Sequence, residues 1–271
     1  MAAPMAATRL ACLLGHPVAH SVSPQIHNAA FAAANVDAAY LAFDVAPGDL
    51  AAAVDGLRTL GFLGANLTVP HKRAALALGD AITAEAEAVG AANTLFWDGD
   101  RLLADNTDVG ALHTVFERDV GVTSGLETLV FGAGGAARAA AVALGRLGAR
   151  VAVVARRPQA ARDVAALARR WGAGGAAGGR PALVVNATPL GLHGEALPGM
   201  FMGLGEGQVA LDLTYGAGES PFLAAARRGG ARAFDGLGML VEQAAAAFQR
   251  WTGRPAPLEV MADTAAAALG R

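Results

Sequence analysis

The chain has one cysteine, one lysine and two tyrosines in 271 residues. The lone Cys12 excludes an internal disulfide framework and fits a reducing compartment. It lies in the apolar run Leu10-Ala11-Cys12-Leu13-Leu14, where a buried structural thiol is expected rather than a nucleophile. No apolar run reaches the length of a membrane-spanning helix without an intervening charge, glycine or proline. The small apolar stretch 1–8 is too short for a signal peptide and has no basic segment. Neither sign of charge dominates. The 21 Lys+Arg against 23 Asp+Glu leave a formal net charge of −2, which excludes a global attraction to nucleic acid or anionic membrane. What is abundant is apolar: 54% hydrophobic and 16% charged residues suffice to bury a core in one large domain or two small ones.

Twenty of the 21 cations are Arg, and Lys72 is the only primary side-chain amine. A guanidinium stays protonated in a protein, whereas an amine exchanges its proton and responds to burial. The high Arg, Ala and Gly content has the look of nucleotide-composition bias, and Lys72 is either a surface cation that escaped it or a position where proton transfer matters. Its setting, Asn66-Leu67-Thr68-Val69-Pro70-His71-Lys72, favours the second.

Short apolar runs alternate with Ala-rich helical stretches, the pattern of an α/β protein with parallel strands. The first series predicts strands near 10–14, 40–43 and 64–67, with helices after Pro24 and Pro47. A hairpin follows, with strands at 94–97 and 102–104 around Asp98-Gly99-Asp100. The second series predicts strands at 128–131, 151–154, 183–186 and 209–213, and the tail from Gly238 is helical. A helix over 109–118 leads from one series to the next, and Gly-rich 172–179 reads as a surface loop. No internal repeat of solenoid period is present.

Leu129-Val130-Phe131-Gly132-Ala133-Gly134-Gly135-Ala136-Ala137 fits strand, Gly-rich turn and helix in the pattern G-x-G-x-x-A. Gly132 permits the tight turn, Gly134 lets a pyrophosphate approach the backbone, and Ala137 lets helix and strand pack closely. The helix N-terminus adds free N–H groups, which places Ala133, Gly135 and Ala136 in the same phosphate cradle. The next strand ends Val153-Val154-Ala155-Arg156-Arg157-Pro158. No carboxylate stands there to hold the 2′-hydroxyl of NAD, while two guanidiniums can pair with the 2′-phosphate of NADP. Covering the first turn of the helix that Pro158 starts is the plainer role for the two arginines, but it leaves the missing acid unexplained.

Two further segments are not needed by a nucleotide fold. In Gly15-His16-Pro17-Val18-Ala19-His20-Ser21-Val22-Ser23-Pro24, an extended chain would set the Ser21 and Ser23 hydroxyls side by side. Ser23 also suits an N-cap before Pro24. Paired hydroxyls beside a helix N-terminus suit a small carboxylate. Asn66, Thr68 and Lys72, then Asn93-Thr94, then Asp105-Asn106-Thr107-Asp108, each follow an apolar run, where ligands bind in open α/β sheets. This set suits a polyhydroxylated small molecule, with Lys72 and Asp108 as a possible proton-transfer pair. Separate caps and turns are the alternative, most credible for Thr94 and Asp105. His16, His20, His27 and His71 lack a matching carboxylate cluster, so no metal site is expected. His113 and His193 read as surface or cap residues.

These motifs, in this order, resemble the shikimate dehydrogenase family. The resemblance rests on 15–28, 66–72, 92–94, 105–108 and 132–138, on Asn186-Ala187-Thr188-Pro189 and Asp212-Leu213-Thr214-Tyr215, and on 235–244. It implies an α/β chain of two domains: a substrate-binding domain, 1–110 with 237–271, and a Rossmann-type NADP-binding domain, 111–236, with the active site between them. It implies reversible NADPH-dependent reduction of 3-dehydroshikimate to shikimate, a cytoplasmic enzyme, monomer or homodimer, and no nucleic-acid or membrane partner. Ser21 and Ser23 would then bind the substrate carboxylate with Tyr215 nearby. Asn66, Thr68, Asn93 and Gln243 would bind ring hydroxyls, and Lys72 and Asp108 would be the catalytic pair. Thr188, Leu213, Gly236 and Met239 would line the nicotinamide. Many relatives carry Asn-Arg-Thr where this chain has Ala155-Arg156-Arg157, so Arg157 replaces a threonine contact. Alternatives are a broader quinate/shikimate dehydrogenase that also takes NAD, a dehydrogenase acting on a folate, and a non-catalytic NADP-binding regulator.

Overall fold

A computed structural model describes residues 5–271 except 176–177, 193–194, 196 and 217. The chain divides into two compact units, Met1–Thr107 with Val241–Arg271, and Asp108–Leu240. The partition falls after Thr107 and after Leu240, so Asp108 opens the second unit and the tail returns to the first.

The first unit contains β1 (Arg9–Gly15), α1 (Ser23–Ala33), β2 (Ala38–Asp44), α2 (Leu50–Thr59), β3 (Gly64–Leu67), β4 (Ala81–Ile82), α3 (Ala84–Val89), β5 (Thr94–Asp98) and β6 (Arg101–Asp105). The strands form one sheet of order β2-β1-β3-β5-β6-β4. β1 pairs in parallel with β2 and β3, whereas β5 runs antiparallel to both β3 and β6. The sheet is therefore mixed: the β5–β6 hairpin that the sequence predicts breaks the parallel series. β1 is buried over 11–15, as an inner strand covered on both faces is. Cys12 packs there with Leu14, Leu57 and Leu67, and burial pushes its thiol pKa up to about 12.

The second unit contains α4 (Asp108–Thr114), β7 (Glu127–Phe131), α5 (Gly135–Arg146), β8 (Arg150–Val154), α6 (Pro158–Arg170), β9 (Gly174–Gly175), β10 (Leu183–Asn186), β11 (Val209–Asp212), α7 (Pro221–Arg228) and β12 (Arg232–Phe234). Its sheet has the order β12-β11-β10-β7-β8-β9 and every pairing is parallel. The order reverses between β7 and β10, the switch point where ligands bind at strand C-termini in doubly wound sheets. The helix expected over 109–118 is α4 followed by a π-helical turn, Val115–Val120, that ends at Gly121. Part of the expected Gly-rich loop is ordered as β9, whose two glycines extend the sheet at its edge.

α8 (Leu237–Thr252) runs from the second unit into the first, and α9 (Leu258–Ala268) packs against α1. Trp251 Nε1 donates to the Leu95 carbonyl at 3.0 Å, and Arg250 donates to the buried Asp105 carboxylate at 2.9 Å. These bonds fix the end of α8 to the sheet of the first unit. Among the described residues no helix is long and apolar enough to cross a membrane.

Candidate active site

In the first unit, the candidate polar residues gather at the C-terminal ends of β1 and β3 and beside the β5–β6 hairpin. Leu14 pairs with Leu67, and the chain beyond stays in register, with Thr68 N–H donating to Leu14 O and His16 N–H to Val69 O. A Cβ on Gly15 would stand 2.4 Å from Thr68 Cγ2, so only glycine lets the two motif segments lie together. Both segments contain a cis X-Pro peptide, at His16-Pro17 and Val69-Pro70.

Ser21 and Ser23 do meet, with Ser21 Oγ donating to Ser23 Oγ at 3.2 Å. The geometry is a turn and not the extended chain that the sequence suggests. Nor is Ser23 the N-cap: α1 begins at Ser23, Val22 holds the cap position, and no side chain caps the helix. The Ser23 N–H is instead satisfied by Ser21 Oγ at 3.3 Å, a local side-chain-to-backbone bond that turns the chain.

Lys72 follows β3 on a turn that is pinned on both sides. His71 is buried and its Nε2 bonds the Val45 carbonyl at 2.8 Å, while the Lys72 carbonyl accepts from Ala92 N–H at 2.7 Å. The second bond ties the Lys72 backbone to the segment carrying Asn93. Asn66, Asn93, Thr94, Asn106 and Thr107 are all buried and hydrogen-bonded. Asp105 is structural: its carboxylate accepts from Arg250, Thr83 Oγ1 and Asn106 N–H. Gln243 lies on α8, partly exposed. His27 is fully buried between Tyr40 and Trp251, with ring centroids 4.4 and 5.1 Å away. Neither of its nitrogens has a hydrogen-bonding partner. Burial lowers its pKa to about 3, and the nearby Asn66 side chain offsets part of that. Among the described residues, no three His, Cys, Asp or Glu side chains are grouped to hold a metal ion.

In the second unit, β7 ends at Phe131 and α5 starts at Gly135 with Gly134 as its N-cap. Gly132 has φ +126°, and a Cβ there would stand 2.7 Å from the Ala187 carbonyl. Nothing lies within 4 Å of a Cβ placed on Gly134, and Ala137, in the first turn of α5, is fully buried. An open cradle above Gly134, faced by the first N–H groups of α5, fits a dinucleotide pyrophosphate. Arg156 and Arg157 are exposed after β8, where they can reach a phosphate. The β10 and β11 ends are built by two buried residues. Asn186 Oδ1 accepts from the Thr188 N–H and hydroxyl, and Asn186 Nδ2 donates to Asp212 at 2.9 Å. Asp212 also accepts from Thr214 and, at 2.6 Å, from Ser220. Thr188 and Leu213 are placed by this clamp. Asp108 is buried at the head of α4, Met239 is buried on α8, and Tyr215 is partly exposed. His113 faces Glu117 at 3.9 Å on the surface; His193 lies outside the described residues.

Two family models match this chain: the shikimate dehydrogenase substrate binding domain over residues 13–95, and the shikimate 5′-dehydrogenase C-terminal domain over 236–265. A shikimate dehydrogenase (NADP(+)) of Salinibacter ruber is 45% identical over 95% of this chain and 97% of its own. The chain belongs to the shikimate dehydrogenase family. A second relative, the shikimate dehydrogenase (NADP(+)) of Moorella thermoacetica, is 46% identical over 98% of this chain and 95% of its own. Among solved structures, shikimate 5-dehydrogenase of Thermus thermophilus, in complex with NADP(H) and shikimate, superposes with a TM-score of 0.83. It is 36% identical, and the match covers 96% of this chain and 99% of that one. The two α/β units and the returning tail are thus the shikimate dehydrogenase fold.

Several residues that shape the candidate site carry little signal in the sequence. Asn186 and Asp212 sit in two of the family motifs, and their signal is a polar residue closing an apolar strand. Tyr40, at 0% exposure inside an apolar run, gave no signal beyond being one of two tyrosines.

Proposed function

We propose that this protein is a shikimate dehydrogenase, interconverting 3-dehydroshikimate and shikimate with NADP in the route to chorismate and the aromatic amino acids. The observation that carries this reading is the 45% identity, over 95% of the chain, to a relative named for that activity. The buried amide and hydroxyl groups of the first unit suit a polyhydroxylated ring, and the Gly132–Gly134 turn suits the cofactor.

In this reading the first unit takes the substrate and the second takes NADP. Ser21 and Ser23, with Tyr215, hold the substrate carboxylate. Asn66, Thr68, Asn93 and Gln243 hold ring hydroxyls. Gly132, Ala133, Gly134, Gly135 and Ala136 receive the pyrophosphate, Arg156 and Arg157 the 2′-phosphate, and Thr188, Leu213, Gly236 and Met239 the nicotinamide side. Bound NADPH supplies the hydride. The Lys72 ammonium stabilises the negative charge that develops on the ketone oxygen and delivers the proton there. Asp108 keeps that amine oriented and close to the substrate. In the reverse direction Lys72 takes the hydroxyl proton. Turnover of quinate or with NAD is the second reading; the missing acid after Val154 and the arginine pair weigh against NAD. We place the enzyme in the cytoplasm, as a monomer or homodimer.

Product identification tests the proposal. Incubation with 3-dehydroshikimate and NADPH is expected to yield shikimate and NADP in equal amounts by chromatography. NADPH that binds and stays unconsumed would overturn it.

A further inference from the structure

Two candidate ring-binding amides of the first unit, Asn66 and Asn93, belong to one chain of hydrogen bonds. Its direction follows from two backbone groups without assuming how either amide is turned. The Thr107 N–H, which only donates, lies 2.8 Å from Asn93 Oδ1 and fixes that end of the amide as oxygen. Thr94 Oγ1 lies 3.0 Å from the same oxygen and gives it its single proton. Thr94 then has only lone pairs for Asn66, 3.1 Å away, so the Asn66 group facing it is Nδ2. The contact of 3.3 Å between that nitrogen and the Asn93 carbonyl, which only accepts, requires the same. Asn66 Oδ1 is thereby turned toward Tyr40, whose hydroxyl donates at 2.8 Å. At the far end Asn93 Nδ2 donates to Thr107 Oγ1 at 2.9 Å. The four links from Tyr40 through Asn66, Thr94 and Asn93 to Thr107 therefore point the same way, the Thr107 hydroxyl gives its own proton back to Asn93 Oδ1 at 3.3 Å, and all five residues are buried.

Both hydrogens of Asn66 Nδ2 are used within this series, and its Oδ1 keeps one lone pair. We propose that Tyr40 is a positioning residue for substrate. By holding the head of the series it presents Asn66 as a pure acceptor, so the ligand group met there is a hydroxyl donor, and it holds the Asn93 amide in its direction. His27 stacks on the Tyr40 ring at 15° and keeps it in place. A neutral imidazole serves as that platform without competing for the hydroxyl. The identity of the ligand rests on the shikimate dehydrogenase reading; the direction of the series does not.

Tyr40→Phe keeps the ring and removes the hydroxyl that donates to Asn66. Its kcat/KM for shikimate is expected to fall about 10-fold, with the KM for NADP unchanged. Shikimates lacking one or other of the non-reacting ring hydroxyls identify the contact. For one analogue the wild type and Tyr40→Phe should turn over alike, because the hydroxyl that Asn66 accepts is gone. In ligand-free protein, the side-chain amide NMR signals of both Asn66 and Asn93 should move, although Asn93 lies two bonds beyond Asn66. An unchanged kcat/KM, an equal loss on both analogues, or a shift confined to Asn66 would overturn the proposal. A wild type inert toward shikimate, with both amides still shifting, would defeat the substrate reading and leave the directed series standing. If Tyr40→Phe does not fold, Thr94→Val cuts the same series one link on and should remove the same analogue discrimination, with Thr94→Ser restoring it. Discrimination kept in Thr94→Val would equally overturn the proposal.

Discussion

At the scale of single residues, the chemistry is expected to concentrate on few side chains. Lys72→Met should lower kcat by about 10²- to 10⁴-fold while NADPH affinity, measured by fluorescence, stays near wild type; turnover within a few-fold of wild type would remove Lys72 from proton transfer. Arg156→Ala combined with Arg157→Ala should raise the KM for NADP by about 10- to 100-fold and leave the KM for NAD little changed. An equal rise for both cofactors would show that the pair does not read the 2′-phosphate. His27 carries a pH prediction. Its pKa is lowered to about 3 by burial, while in the unfolded chain it titrates near 6.5. The unfolded state therefore binds the extra proton first. This contribution to stability is complete above pH ~6.5 and declines as pH falls toward ~3, by up to about 1.4 kcal/mol per unit. Urea unfolding at several pH values should show a shallower acid slope for His27→Phe than for wild type; identical slopes would contradict it. Lys72 stands out in the sequence because it has no competitor there. His27 does not, because its effect comes from Tyr40 and Trp251, distant in the chain.

At the scale of elements, long strands and Ala-rich helices were legible from apolar runs, and the β5–β6 hairpin from Asp98-Gly99-Asp100. The misses are short. β4 has two residues and β12 three, too few to show a period, and β9 is two glycines with no side chains to read. α3 has six residues, yet its ends were marked: Thr83 caps Ala86 N–H and Gly90 closes it in the left-handed region. Ser21 and Ser23 lie together through a turn rather than an extended chain, because a local Ser21-to-backbone bond takes the place of a helix cap at the same spacing. The ends of β10 and β11 supply a test of element placement. Asp212→Ala leaves donors from Asn186, Thr214 and Ser220 unmatched in a buried site, and should cost about 3 kcal/mol or more by urea unfolding. Asp212→Asn keeps one acceptor oxygen and should cost less. A loss in Asp212→Ala below about 1 kcal/mol would mean the clamp is not holding these ends.

At the scale of the whole molecule, the chain leaves its first unit at Thr107 and returns at Val241. Sequence periodicity alone showed two α/β series and a helical tail; it was the family resemblance that assigned the tail to the first domain, because which sheet a helix covers is set by contacts distant in sequence. Those contacts are Trp251 to Leu95, Arg250 to Asp105 and the ring pair of Phe31 with Phe248 at 5.6 Å. Ending the chain at residue 236 should therefore leave the first unit unfolded, with its sheet exposed, and yield aggregated protein. A soluble product with native circular dichroism would contradict that dependence.

The most direct measurement is the initial rate of NADP reduction by the full chain with shikimate, set against quinate and against NAD. Turnover with shikimate and NADP, at a kcat/KM well above every other pairing, is the predicted result. Folded protein that binds NADPH but turns over none of these pairs would contradict the substrate half of the reading.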